Sequence, residues 1–199
     1  MDNFDLDPFN NESVPPSLND INTDSSLVGF DLQPDNKTGA LLRVLVASKR
    51  NGLFLELGTG TGISTCWMLD AMCSNSKLVT IDNDEKSQSI AKKYIPSSEN
   101  ITFLTGDAFE FIKKSKKEIY DIIFADAWPG KFELMHEAIS LLKVGGFYIV
   151  DDMLPYEDWP EEQYPQALEN IKELLSSNQG VKVGLEWSTG ICILTKTSN

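Results

Sequence analysis

Residues 56 to 62 read ELGTGTG and follow the apolar run Gly52, Leu53, Phe54, Leu55. Three glycines at every second position make a tight turn where a ligand can approach the backbone, because a Cβ there would be in its way. A Walker loop would close on Gly-Lys-Ser/Thr, but Gly62 is followed by Ile63 and Ser64, which excludes that reading. The dinucleotide pattern G-x-G-x-x-G is nearly met by Gly58, Gly60 and Gly62, with Asp82 further on as a candidate acceptor for ribose hydroxyls. The third glycine comes one place early, and a tight turn holding no ligand would carry the same pattern.

Four further segments place acids after apolar runs. TIDND carries Asp82, TGDAFEFI carries Asp107, Ala108 and Phe109, YDIIFADAWPGKF carries Asp126, and LLKVGGFYIVDDM closes on Asp151 and Asp152. If the runs are parallel strands, their carboxyl ends face one crevice, and acids far apart in sequence become neighbours. Each residue also has a plainer role open to it. Glu56 could cap the turn, Asp82 could start a helix ahead of Asp84 and Glu85, and Asp151 with Asp152 could be a solvated loop. Phe109 and Trp128 could be core or lid residues.

The elements that would position these groups follow from hydrophobic spacing. Apolar runs at residues 53 to 57, 78 to 81, 101 to 104, 119 to 125 and 147 to 150 alternate with helical stretches near 62 to 72, 85 to 94, 107 to 115 and 131 to 142. Runs apolar on both faces and separated by helices indicate a parallel sheet covered on both sides. A helix from Thr38 precedes them, and another is predicted at about 161 to 177. VKVGLEW and ICILTKT then follow, joined only by Ser188, Thr189 and Gly190, too short a link for a crossover helix, so they form an antiparallel hairpin.

From about residue 36 onward, the order ELGTGTG, TIDND, GDAF, FADAW, LLKVGGFYIVDDM and a terminal hairpin resembles the class I S-adenosylmethionine-dependent O-methyltransferases. The branch it resembles is the catechol and caffeoyl-CoA type, with its small bacterial relatives. The resemblance implies a Rossmann-like, doubly wound α/β fold with a mostly parallel seven-stranded sheet and a C-terminal antiparallel hairpin. It implies an adenosylmethionine pocket in which Glu56 and the backbone of Gly58, Thr59, Gly60 and Gly62 hold the amino-acid part. Asp82 would hold the ribose and Asp107, Ala108 and Phe109 the adenine edge, with Asp126 and Trp128 bordering the pocket. It also implies a divalent cation, Mg²⁺, Mn²⁺ or Ca²⁺, on Asp126, Asp151 and Asp152, where an aspartate replaces the family's terminal asparagine. Family members with a lysine base carry it three residues after the first metal aspartate, and Pro129 stands there. Asp126 and Lys131, the only nearby lysine, are therefore the candidate catalytic residues. His136, the sole histidine, reads as a helix-face residue.

The expected activity is methyl transfer to a hydroxyl of a small molecule. An aromatic acceptor would suit Tyr156, Trp159 and Tyr164 in the stretch 153 to 166. Two alternatives stay open: a catalytically silent binder of adenosylmethionine or adenosylhomocysteine, because of Pro129, and an NAD-dependent oxidoreductase. Related enzymes are often dimers, which makes a homodimer an expectation here.

Composition bounds the rest. The 199 residues suit one domain, residues 36 to 199, preceded by an acidic arm. Residues 1 to 36 hold eight acidic side chains and no Lys or Arg, and residues 1 to 35 read as a flexible or loosely docked arm. The only basic cluster, Lys113, Lys114, Lys116 and Lys117, reads as a solvated face, so no nucleic-acid partner is expected. Cys66, Cys73 and Cys192 lack C-x-x-C spacing and suggest a reduced, cytoplasmic setting. No run approaches the ~20 apolar residues of a membrane span, and the N-terminus lacks signal-peptide features.

Overall fold

Hydrogen bonding between the apolar runs builds a seven-stranded sheet in the order β3, β2, β1, β4, β5, β7, β6 in a computed structural model of the chain. The structure describes residues 13 to 30, 35 to 154, 164 to 186 and 188 to 198. The strands are β1 (Leu53–Leu57), β2 (Lys77–Asp82), β3 (Ile101–Thr105), β4 (Tyr120–Ala125), β5 (Leu142–Val150), β6 (Gly180–Leu185) and β7 (Ile191–Lys196). The first five pair in parallel, and β7 runs antiparallel to both β5 and β6. The expected fold class and terminal hairpin are those observed.

The helices are α1 (Leu18–Leu27), α2 (Asn36–Ser48), α3 (Ile63–Ala71), α4 (Glu85–Tyr94), α5 (Ala108–Lys114), the short α6 (Trp128–Lys131), α7 (Met135–Ser140) and α8 (Tyr164–Ser176). Strand alternation divides the core between the two faces of the sheet. One face packs Phe54, Ile122, Phe124 and Ile149 against Trp67, Leu42, Ile90 and Ile21 from α1 to α4. The other packs Leu55, Leu57, Ile123 and Val150 against Ile112, Ala138 and Leu174 from α5, α7 and α8.

Three local features depart from the sequence expectation. Helix α1 lies within the stretch read as a loose arm, and it docks on α4 and α3. Leu18, Ile21 and Ser25 are buried, and Asp24 accepts hydrogen bonds from Lys93 Nζ (2.6 Å) and Tyr94 Oη (2.9 Å). The expected helix over 131 to 142 is broken, because Leu134 (φ 56°) is left-handed and separates the end of α6 from α7. Strand β5 starts five residues before the expected run, at Leu142, and absorbs the extra length in a register shift against β4.

Candidate functional site

The order of the sheet puts the carboxyl ends of β1 and β4 side by side, at the point where the chain switches from building one half of the sheet to building the other. Leu57 pairs with Ala125 and Ala125 with Val150, so Gly58, Asp126 and Asp151 leave adjacent strands at the same level. The convergence of acids expected from the sequence is thus produced by register. It gives two neighbouring polar centres that are built differently.

The first centre is the glycine loop. Alternation along β1 puts Glu56 on the same face as Phe54, under the N-terminus of α3, where it is fully buried. Its carboxylate accepts from Ser64 Oγ (2.6 Å), Thr65 Oγ1 (2.5 Å) and Thr80 Oγ1 (2.6 Å). Thr80 donates its one proton to Glu56, so Thr59, 2.6 Å away, must donate to Thr80. Gln88 Nε2 donates in turn to Thr59, and Thr105 Oγ1 to Gln88 Oε1. Every member of this chain points its proton toward Glu56. Burial still dominates and pushes the Glu56 pKa up to about 7, against the three hydroxyl donors that favour its charged form.

Glu56 and Thr59 therefore lie behind the loop, with no side-chain surface in the crevice. The glycines are required by the protein itself. A Cβ on Gly58 would stand 2.8 Å from the Asp126 carbonyl oxygen, and one on Gly60 would stand 2.8 Å from the Phe30 ring. Gly62 is set by α4, since its Cβ would meet Ala91.

Asp82 does face the crevice, half-buried at the end of β2. Its carboxylate accepts from the backbone N–H of Gly60 (2.7 Å) and of Asp84 (2.8 Å), which fixes its orientation. A carboxylate has about four acceptor positions, so two remain for a ligand. Asp107 is the N-cap of α5 and accepts from the Phe109 N–H (2.8 Å), leaving Ala108 buried and Phe109 half-buried beside the β3 end. Trp128 is 37 % exposed, with its Nε1 donating to Glu133 (3.0 Å) and its ring tilted against Phe132 at 4.8 Å.

The second centre is the cluster of Asp126, Asp151 and Asp152, and it differs from expectation. Lys131 lies inside it, with Nζ donating to Asp126 Oδ1 (2.9 Å) and Asp152 Oδ2 (2.7 Å) and its side chain only 6 % exposed. Burial works against the ammonium charge, but Asp126 and Asp152 outweigh it and raise the Lys131 pKa. Asp152 is lowered, because Lys131 overcomes the cost of burial. Asp126 and Asp151 are both raised, by burial first, and Asp151 also by its two acidic neighbours. Asp151 Oδ1 accepts from the Asp152 N–H (2.9 Å) and from Thr189 Oγ1 (3.2 Å).

The expected divalent cation does not fit this arrangement. One oxygen of each acid is already directed at an ammonium or at neutral donors, and no metal-binding group of acids, histidines or cysteines occurs among the described residues. Lys131 was visible in the sequence as a nearby lysine. Its delivery into the acid cluster was not, because that depends on the turn before it. Ser64, Thr65, Thr80, Gln88 and Thr189 were missed altogether, since hydroxyls and amides at scattered positions give no spacing signal. His136 sits away from both centres, its ring nitrogens facing Gln179 (2.9 Å) and Glu173 (2.6 Å). Of the expected acceptor-facing stretch, Tyr156 and Trp159 lie outside the described residues, as does the side chain of Tyr164.

A family model described as O-methyltransferase matches residues 18–192. The chain belongs to this O-methyltransferase family. A provisionally named O-methyltransferase of Mycolicibacterium smegmatis is 33 % identical over 117 residues, 56 % of either chain, so the match spans about half the length of that curated relative. Among solved structures, a Corynebacterium glutamicum protein superimposes with a TM-score of 0.84 at 19 % identity, covering 98 % of this chain and 95 % of the other. The O-methyltransferase TomG from Streptomyces achromogenes, involved in tomaymycin synthesis and solved in complex with S-adenosylmethionine, gives 0.80 at 19 % identity, covering 94 % and 92 %. The matched segment includes α1, so this helix falls inside the family's region. No helix among the described residues is long and apolar enough to cross a membrane.

Proposed function

We propose that the chain transfers the methyl group of S-adenosylmethionine to a hydroxyl of a small-molecule acceptor. The observation that carries this reading is Asp82, a crevice carboxylate pinned by two backbone N–H groups with two acceptor positions left, which suits the two donors of a ribose diol. The cofactor would lie across the ends of β1 to β4, with its adenine beside Phe109 and its amino-acid end against the backbone of the glycine loop. Asp126 and Trp128, after β4, would then border the cofactor.

Bound there, the cofactor supplies an electrophilic methyl group. The chain's part is alignment of an acceptor oxygen with the methyl carbon and exclusion of water around the two. Transfer would make the acceptor's O–C bond at the expense of the cofactor's S–C bond, with adenosylhomocysteine as the leaving group and the acceptor's proton released to solvent when the product departs. An aromatic acceptor remains the reading suggested by the residues after β5, and a homodimer the reading suggested by related enzymes.

Asp82→Ala should weaken adenosylhomocysteine binding by about 2 to 4 kcal/mol, from the loss of two charge-assisted hydrogen bonds. Calorimetry on wild type and variant checks this, with NAD as the comparison ligand. Unchanged affinity, or NAD binding as tight, would reject the assignment. The second reading is a silent cofactor binder, which the burial of Lys131 between two acids favours, since that lysine is not presented as a free base. It predicts the same calorimetry and no turnover of any phenol or catechol.

A further inference from the structure

We infer that Lys131 takes the place of a divalent cation, so that this chain works without a metal at its acid cluster. The inference rests on the methyl-transfer reading for its setting and on the turn that delivers Lys131 for its geometry. Asp126 ends β4, and the chain then reads Ala127, Trp128, Pro129, Gly130, Lys131. Pro129 (φ −68°, ψ 131°) and Gly130 (φ 87°, ψ −28°) have the dihedral angles of the two central residues of a type II turn, the first suited to proline and the second to glycine. The turn folds the lysine back over the aspartate it follows by five residues.

The turn is held from several sides. The Gly130 N–H donates to the Glu133 carbonyl (2.7 Å), and its own carbonyl accepts from the buried hydroxyl of Tyr148. A Cβ at Gly130 would stand 2.6 Å from Leu57 Cδ1 and 3.1 Å from the Tyr148 hydroxyl, so only glycine fits. Leu57 of β1 and Tyr148 of β5 thus pack against the turn, from which Lys131 Nζ reaches both carboxylates. Proline at position 129 is part of that device.

Metal and lysine exclude each other. A divalent ion would sit about 2.0 to 2.6 Å from the same oxygens that now accept from Nζ, which would leave two positive centres only a few ångströms apart. Expelling Lys131 instead would part its ammonium from both carboxylates and undo the turn that carries it there. Two of the three ammonium protons go to Asp126 and Asp152. The Phe132 ring lies 6.0 Å from the same ammonium. Lys131 is in this sense a positioning and charge-balancing residue: it holds Asp126 beside the glycine loop and Asp152 at the head of the loop after β5.

The test uses Mn²⁺ as the probe, with bound ion counted by electron paramagnetic resonance on chelator-treated full-length protein. Wild type is expected to bind no Mn²⁺ at this cluster. Lys131→Ala is expected to bind one ion per chain, and Lys131→Ala combined with Asp152→Asn to lose it. Lys131→Gln, which removes the charge but keeps most of the stem, covers the case in which the alanine variant does not fold. One Mn²⁺ on wild type that Asp126→Asn abolishes would overturn the inference, as would folded Lys131 variants that bind no ion. A merely structural lysine would not exchange its presence for a metal. Adenosylhomocysteine calorimetry on the same wild-type sample reports separately on the methyl-transfer reading, so the two can fail independently.

Discussion

The two polar centres of the crevice each hold buried carboxylate, and they stabilise it by opposite means. Around Glu56 the donors are neutral: three hydroxyls, backed by a relay through Thr59, Gln88 and Thr105. Around Asp126 and Asp152 the donor is a full positive charge. Hydroxyls satisfy the lone pairs of Glu56 but do not neutralise it, so burial still raises its pKa. An ammonium does both for Asp152, whose pKa is lowered despite burial. The first centre is a support behind a ligand-facing loop, and the second is a junction at the strand ends where one ammonium is shared by two carboxylates.

The largest effect should come from removing the charge at the second centre. Lys131→Ala leaves Asp126 and Asp152 facing each other in a largely enclosed site, and loss of one partner from such a set costs about 3 to 5 kcal/mol. Denaturant unfolding checks this. Added Mg²⁺ or Mn²⁺ should restore part of the loss in the variant and leave wild type unmoved. Equal stability of variant and wild type would erase the contrast between the two centres.

The next effect reads the first centre through pH. Glu56 has an ordinary value of 4.5 and a folded value of about 7. Between those values the folded chain keeps a proton that the unfolded chain has released, so stability falls as pH rises from 4.5 to about 7 and levels off above. The span is about 3 kcal/mol for a shift of this size. Asp151 is raised too and adds a fall of the same sign. Glu56→Gln should therefore flatten the profile in part, while lowering stability at pH 5 because its NH2 group cannot accept from the hydroxyls that face one of the two carboxylate oxygens. Urea unfolding at pH 5 and pH 7.5 measures both effects, and an undiminished slope in the variant would remove Glu56 as its source.

The contrast also explains what could be read from the sequence. Apolar runs such as 53 to 57 and 119 to 125 are buried on both faces, and that alone marks them as inner parallel strands whose carboxyl ends share a crevice. Asp82, Asp126, Asp151 and Asp152 were legible for that reason. The role of Lys131 was not, because it depends on the backbone angles of Pro129 and Gly130 and on a clamp from Tyr148, eighteen residues away. Proline at position 129 looked like the loss of a lysine, although it builds the turn that brings one in. Helix α1 escaped notice because little of it is apolar: Leu18 and Ile21 bury carbon, while Ser25 is buried through its hydroxyl, 2.7 Å from that of Thr61.

The smallest effect is expected outside both centres, at His136, and it sharpens the comparison by serving as its control. The ring bridges α7 to Glu173 in α8 and to Gln179 before β6, and those two partners, Gln179 first, raise its pKa. A histidine raised in the folded state contributes stability that is fully present below its unfolded value of about 6.5 and is lost as pH rises through the folded value. With 47 % of the side chain and 54 % of that of Glu173 exposed, solvent screens most of this interaction. His136→Ala should then cost no more than ~0.5 kcal/mol near pH 6 and less at pH 8. Adenosylhomocysteine affinity and any turnover should be unchanged, because neither ring nitrogen faces the crevice acids. A turnover loss of tenfold or more with intact stability would make His136 a working base and move the chemistry away from the strand ends.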